Sequence, residues 1–191
     1  MCGIYGIVDF TKMLNLEDLI CATEKLFKRG PDDGDYKIWN TTCSKLGFGH
    51  RRLSIVDLSK KGNQPFVYEN LAIVYNGEVY NFKELRQDLV KRNYDFVSNS
   101  DTEVVLKYIH CFGLETALLK FNGRFAFGLF DFTEEKLIIV RDRLGVKPLY
   151  YYCDNNKFIF SSEIKSLLVS NGKGTINKKN VGSYLQYGYV P

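Results

Sequence analysis

Arg124-Phe125-Ala126-Phe127-Gly128-Leu129-Phe130-Asp131 is followed by Lys136-Leu137-Ile138-Ile139-Val140-Arg141, Leu149-Tyr150-Tyr151-Tyr152-Cys153 and Lys157-Phe158-Ile159-Phe160-Ser161. Four β-rich runs in such close succession leave no room for helices between them. They read as an antiparallel meander, not as the strand-helix rhythm of a parallel doubly wound sheet. Asp154-Asn155-Asn156, between the last two runs, has the composition of a hairpin turn. Working outward, further strands are predicted over residues 2–10, 36–39, 45–49 and 71–75. Leu16, Leu19, Ile20, Thr23, Leu26 and Phe27 recur at helical spacing, and that helix ends before Gly30-Pro31. A second helix is predicted over about 82–92. Ser100-Asp101-Thr102-Glu103 has the capping-box pattern and opens an apolar helix through Val104, Val105, Tyr108 and Ile109. The fold class is therefore α+β with antiparallel sheets. No linker-like stretch, internal repeat or low-complexity segment divides the sequence, so residues 1–191 read as one domain.

Composition excludes several function classes. The formal net charge of +4 comes from 26 basic and 22 acidic residues interspersed along the chain. No run of Lys and Arg interleaves with aromatics to track a nucleic-acid backbone. The opening residues lack the cationic start and apolar stretch of a signal peptide, and no segment is apolar for a membrane-spanning length, which points to the cytoplasm and away from a membrane. Five cysteines, an odd number without a Cys-x-x-Cys pair, argue against a disulfide framework and against zinc. The two histidines, His50 and His110, stand far from metal-ligand spacing, so no metal is expected, and His110 falls in an apolar helical pattern that suits packing.

The strongest chemical feature is Cys2 directly after Met1. Cysteine is small enough for Met1 to be removed, leaving one residue that carries both a thiol nucleophile and an α-amino base of pKa near ~8. Position alone is weak evidence, since Cys2 could equally begin a buried strand. Tyr75-Asn76-Gly77-Glu78 closes an apolar run with an Asn-Gly step. Taken alone, that step reads as a hairpin turn, although the Asn76 carboxamide and the Gly77 amide also suit an oxyanion hole. His50-Arg51-Arg52-Leu53-Ser54-Ile55-Val56 offers two arginines, one of which could grip a carboxylate bidentately. By base rates the pair is solvated. Ser100 suits the helix cap, which leaves the Asp101 carboxylate free to meet an ammonium. An arginine and an aspartate are what a zwitterionic amino acid requires.

Taken in order, Met1-Cys2-Gly3-Ile4, Arg29-Gly30-Pro31-Asp32-Asp33, Arg52-Leu53-Ser54-Ile55-Val56-Asp57, Gln64-Pro65, Asn76-Gly77-Glu78, Ser100-Asp101-Thr102-Glu103, Arg141-Asp142-Arg143 and Phe160-Ser161-Ser162-Glu163 resemble the class II glutamine amidotransferase domain. They most resemble that of glutamine-hydrolysing asparagine synthetases. The resemblance covers nearly the whole chain. It implies an N-terminal nucleophile hydrolase fold, a four-layer α/β/β/α sandwich of two antiparallel sheets. It also implies Cys2 as nucleophile, Asn76 and Gly77 as oxyanion hole, and Arg52 on the glutamine α-carboxylate. Asp101 and Glu78 would stand near the α-ammonium, with Leu53, Ser54, Ile55 and Val56 lining the pocket. The implied partners are L-glutamine and a C-terminal synthetase domain or separate acceptor subunit, and a homodimer is compatible with the sequence.

Residues 182–191 resemble the junction into the synthetase domain, and no Ser-Gly-Gly-x-Asp-Ser-type ATP loop occurs in the sequence. No cofactor is expected for this domain, and ATP and magnesium belong to the synthetase part. Three alternatives stand beside asparagine synthesis. The chain could be the amidotransferase half of an amino-sugar or surface-polysaccharide amidation enzyme, a catalytically silent glutamine- or partner-binding module, or a Cys-His hydrolase using His50.

Overall fold

The computed structural model describes residues 1–54, 59–172 and 174–190. Its strands are β1 (Gly3–Asp9), β2 (Asp33–Asn40), β3 (Lys45–Arg52), β4 (Phe66–Tyr68), β5 (Leu71–Val79), β6 (Gly123–Asp131), β7 (Lys136–Arg141), β8 (Tyr150–Cys153) and β9 (Lys157–Ser161). The helices are α1 (Leu16–Glu24), α2 (Phe82–Val90), α3 (Asp101–Phe112), α4 (Leu114–Lys120), α5 (Ile164–Asn171) and α6 (Lys178–Tyr187). The first sheet has the order β2-β3-β1-β9-β8 and the second β4-β5-β6-β7, with the paired strands antiparallel throughout.

Three apolar layers explain the stacking. Ile4, Val8, Leu46, Phe48, Ala72, Val74, Phe130 and Phe160 meet between the two sheets. The alternate residues Tyr5 and Ile7 turn to the outer face of the first sheet and bury Leu19, Ala22 and Leu26 from α1 and its end, with Leu167 from α5. Ile73, Tyr75 and Phe127 do the same on the outer face of the second sheet against α2, α3 and α4. Period-two alternation makes β1, β5, β6 and β9 apolar on both faces, as the two inner layers of a four-layer α/β/β/α sandwich require. Phe160 fills the inter-sheet space only because Gly6 and Gly128 carry no side chain there: a Cβ on either would lie 2.1 Å from its ring.

Two readings change. The four runs that resemble one meander divide between sheets, since β6 and β7 pair in the second while β8 and β9 pair in the first. Local hairpins are set by turn chemistry, which the Asp154 carboxylate supplies by accepting the Asn156 and Lys157 amides at 2.8 and 2.9 Å. Which sheet a hairpin joins is decided by distant partners. The Asn76-Gly77 step is not a turn. It lies inside β5, opposite Ala126 and Phe125 of β6.

The capping box at α3 closes only by half. The Ser100 hydroxyl accepts the Glu103 amide at 3.4 Å, but the Glu103 carboxylate takes the Val97 and Ser98 amides and Lys107 Nζ. Among the described residues no helix is long and apolar enough to cross a membrane.

Candidate active site

Strand periodicity builds the site. The residues facing the other sheet are Ile4 and Val8 on β1, Leu46 and Phe48 on β3, and Ala72 and Val74 on β5. One step of two residues further along each strand, on the same face, stand Cys2, His50 and Asn76, with Arg52 and Glu78 a step beyond. The apolar layer between the sheets thus becomes polar at one end. There Cys2, His50, Arg52, Asn76 and Glu78 line a cavity of about 170 Å³ together with Leu53, Gly77 and Asp101.

Cys2 is half-buried and held by its backbone. Arg29 Nε donates to the Cys2 carbonyl at 2.9 Å, and the same guanidinium pairs with Glu163 at 3.5 Å. The Leu53 amide points at Cys2 Sγ from 3.5 Å. Burial pushes the thiol above its usual pKa, against the pull of the Leu53 backbone, the chain's amino group and Arg52. The α-amino group of Met1 is held below its usual value, chiefly by partial burial, with Arg29 and Lys147 acting in the same direction. Both shifts are toward the neutral form of the group, for the Cys2 thiol and for the Met1 amine alike.

Asn76 is only 1% exposed. Three buried side-chain atoms have no hydrogen-bond partner among the described residues, Arg29 Nη2, His50 Nε2 and Asn76 Nδ2, and the last two belong to cavity-lining residues. A buried amide donor left unsatisfied costs on the order of 1–3 kcal/mol, so Asn76 Nδ2 is a donor held ready for an acceptor. Gly77 has a packing reason beside any chemical one: a Cβ there would meet the Arg124 carbonyl at 2.4 Å.

The two arginines separate by strand alternation. Arg52 faces the cavity, and its Nη1 donates to the Ser59 carbonyl at 2.7 Å and to Asn63 Oδ1 at 2.6 Å. Asn63 in turn donates to Asp33 at 2.9 Å. Arg51 faces the other way and is not a solvated residue. It is 9% exposed, donates to the carbonyls of Gly30 and Pro31, pairs with Glu24 at 3.2 Å and covers the Phe27 ring.

Asp101 lines the cavity from the first turn of α3, but it is not wholly free. Its Oδ2 accepts the Tyr75 hydroxyl and the Val79 amide, both at 3.0 Å. Burial raises its pKa, and Glu78 adds to the rise. Leu53 lines the cavity, whereas Ser54 is not among the lining residues and gives its amide to Asp32 at 2.8 Å. Ile55 and Val56 lie outside the described residues.

The sequence reading assigned no role to Gln64, Thr102 or Lys147, which also line the cavity. The only role it offered His50 was that of the base in a Cys-His pair. Burial, with Arg52 and Arg51, pushes His50 down to about 3, which makes it a poor base. The alternation of β3 was the available signal for His50. Gln64 and Lys147 sit in segments with no periodicity to read.

Residues 1–191 match the family model described as a glutamine amidotransferase domain. The chain belongs to the glutamine amidotransferase domain family. Among relatives of this amidotransferase domain, a putative glutamine-hydrolysing asparagine synthetase 2 of Methanocaldococcus jannaschii is 41% identical over 100% of this chain and 40% of its own length. The glutamine-hydrolysing asparagine synthetase 1 of Bacillus subtilis is 38% identical over 100% of the chain and 30% of its own. An amidase of Gibberella zeae is 38% identical over 88% and 26%. The chain therefore spans less than half of each relative.

Among solved structures, glutamine phosphoribosylpyrophosphate amidotransferase from B. subtilis superposes with a TM-score of 0.70 at 22% identity, over 89% of this chain and 44% of that one. An allosteric regulatory enzyme of purine biosynthesis gives 0.73 at 21%, over 89% and 43%. These share the fold, two antiparallel sheets stacked face to face between helical layers.

Proposed function

We propose that this domain hydrolyses L-glutamine to glutamate and ammonia through a thioester on Cys2, and that the ammonia serves asparagine synthesis by a region beyond these residues. The observation that carries the reading is the convergence of a neutral thiol, an unpartnered buried carboxamide donor, an arginine and a buried carboxylate on one small cavity.

With Met1 removed, the Cys2 α-amine takes the thiol proton and Sγ attacks the δ-carbon of glutamine. The oxygen acquires negative charge, which Asn76 Nδ2 and the Gly77 amide stabilise. The carbon–nitrogen bond breaks, the α-amine returns its proton to the leaving nitrogen, and ammonia departs. Water, deprotonated by the same amine, then cleaves the thioester. Arg52 holds the α-carboxylate, and Asp101 with Glu78 holds the α-ammonium. No cofactor is needed for these steps, and we assign ATP and magnesium to the acceptor-activating region.

The low pKa of His50 supports the α-amine over a Cys-His pair as the base, and the presence of both Cys2 and Asn76 speaks against a silent module. The amidase relative favours a second reading, in which the same half-reaction feeds an acceptor other than aspartate. The test is glutamate release by Met1-processed protein, Met1-retaining protein and Cys2→Ala. Only the first should turn over, and it should show an added glutamyl mass on Cys2 in quenched samples. Equal rates from processed and unprocessed protein would refute the nucleophile assignment.

A further inference from the structure

The main chain of β5 presents its amides to two sides by turns. Just beyond the ends of the strand, the Tyr80 amide donates to the Asn122 carbonyl at 2.7 Å and the Phe132 amide to the Asn70 carbonyl at 2.8 Å, so the even-numbered positions face β6. The amides of Tyr75, Gly77 and Val79 therefore point to the opposite edge. There β4 pairs with β5 only from Tyr68 opposite Leu71 to Phe66 opposite Ile73, and among the described residues no strand continues that ladder. Tyr75 is 2% exposed, and a main-chain donor buried at such an edge needs a partner from elsewhere.

Side chains replace the missing strand. In the register of β4 the residue opposite Tyr75 would be Gln64, and Gln64 does meet it, through its carboxamide rather than its backbone. Gln64 Oε1 accepts the Tyr75 amide at 2.6 Å, and Gln64 Nε2 donates to Thr102 Oγ1 of α3 at 3.1 Å. A main-chain amide can only donate, which fixes the carboxamide oxygen on Tyr75 and the nitrogen on Thr102. Gln64 and Thr102 are both buried, and both line the cavity. At the far end of the same edge, Asp101 Oδ2 takes the Val79 amide at 3.0 Å. Between these two capped amides lies that of Gly77, itself a cavity-lining residue.

We propose that Gln64 is a positioning residue for the oxyanion hole: standing in for the strand that β5 lacks at Tyr75, and anchored in turn on Thr102, its carboxamide fixes the stretch of backbone that carries Asn76 and the open-edge amide of Gly77. It touches no reacting atom and moves no proton. This inference rests on the reading of Asn76 and Gly77 as the oxyanion donors.

Gln64→Met keeps the length of the side chain and removes its carboxamide. In Met1-processed protein it should lower kcat for glutamate release by about a hundredfold, the scale of a misplacement near 1 Å, and leave KM within a few-fold, because Arg52 and Asp101 keep their own partners. Thr102→Val should cost roughly tenfold in kcat, the worth of one hydrogen bond, and Thr102→Ser, which retains the hydroxyl, should recover most of that loss. Joined with Gln64→Met, Thr102→Val should cost nothing further, since it acts through the same carboxamide.

Amide hydrogen exchange reads the bond without turnover. In Gln64→Met the Tyr75 amide should exchange at least about tenfold faster, while the Val79 amide, held by Asp101, keeps its rate. Equal acceleration at both amides would mean a general loosening and would refute the proposal. So would unchanged exchange at Tyr75, a kcat of Gln64→Met within a few-fold of the unaltered protein, or additive losses in the double variant. Absence of glutamate release from the unaltered protein would instead refute the amidotransferase reaction.

Discussion

At the scale of single residues, the proposed roles of Asn76 and Arg52 contrast transition-state with ground-state binding. Asn76 Nδ2 has no hydrogen-bond partner among the described residues, and in the proposed reaction it gains one fully only when the substrate oxygen becomes charged. Asn76→Ala should lower kcat by roughly a hundredfold to a thousandfold, while Arg52→Ala should chiefly raise KM, since its carboxylate partner is unchanged by the reaction. Steady-state glutamate release gives both parameters, and the opposite pattern would exchange the two roles.

Asp101 yields a pH prediction. Its pKa lies above the ordinary carboxylate value, chiefly through burial. In the free protein such a group contributes stability that is present at acid pH and lost as pH rises through the folded pKa, the reverse of a salt-bridged carboxylate. For binding the sign is opposite, because the α-ammonium needs the ionised form. KM for glutamine should therefore rise as pH falls through this raised pKa. Asp101→Asn should give a high KM that no longer varies there. A wild-type KM flat down to about pH 4 would exclude Asp101 from the ammonium site.

Cys2 and the arginine pair were legible at this scale because one stands beside the initiator and the other in a short charged run. The choice between Arg51 and Arg52 was not legible from those residues alone. It depends on which face of β3 turns toward the other sheet, and that is set by Leu46 and Phe48.

At the scale of elements, the sheets are held at their spacing by a contact no hydrophobicity pattern reveals, the ring of Phe160 seated on Gly6 and Gly128. Gly128→Ala should overpack this layer and cost roughly 1–3 kcal/mol. Each kcal/mol lowers Tm by about 2–4 °C in a chain of this size. Differential scanning calorimetry reads the change, and an unchanged Tm would mean that the inter-sheet layer yields without strain.

The same long-range dependence explains what the sequence left hidden. β1, β3, β5 and β9 were visible as apolar runs, and α3 as a capped helix. The partition of the hairpins was not, since β9 joins β1 across some 150 positions while β7 stays with β6. Asn76-Gly77 misled for a related reason: Asn-Gly favours a turn in isolation, but pairing with β6 and a close approach to the Arg124 carbonyl hold it extended. The short elements β4, α4 and α5 carried too few residues to show a period.

At the scale of the molecule, amide hydrolysis and acceptor activation are separable because their chemical demands differ. Hydrolysis needs a nucleophile, a base, an oxyanion hole and a grip on both ends of an amino acid, and the cavity at the end of the inter-sheet layer brings such groups together. Activation of a carboxylate acceptor by ATP needs a phosphate-binding loop, and the sequence holds none of the Ser-Gly-Gly-x-Asp-Ser type. The relatives, more than twice as long as the segment they share with this chain, have room for one. The 191-residue protein, once Met1 is removed, should release glutamate and ammonia in equal amounts without ATP. Aspartate and ATP added together should yield no asparagine. Both quantities are measurable in one incubation by amino-acid analysis and an ammonia electrode. Glutamate without matching ammonia would mean that the nitrogen is transferred within the domain, and ATP-dependent asparagine from these residues alone would refute the division of labour. An amidated sugar made after the acceptor region is supplied would leave the hydrolytic half intact and replace only the acceptor.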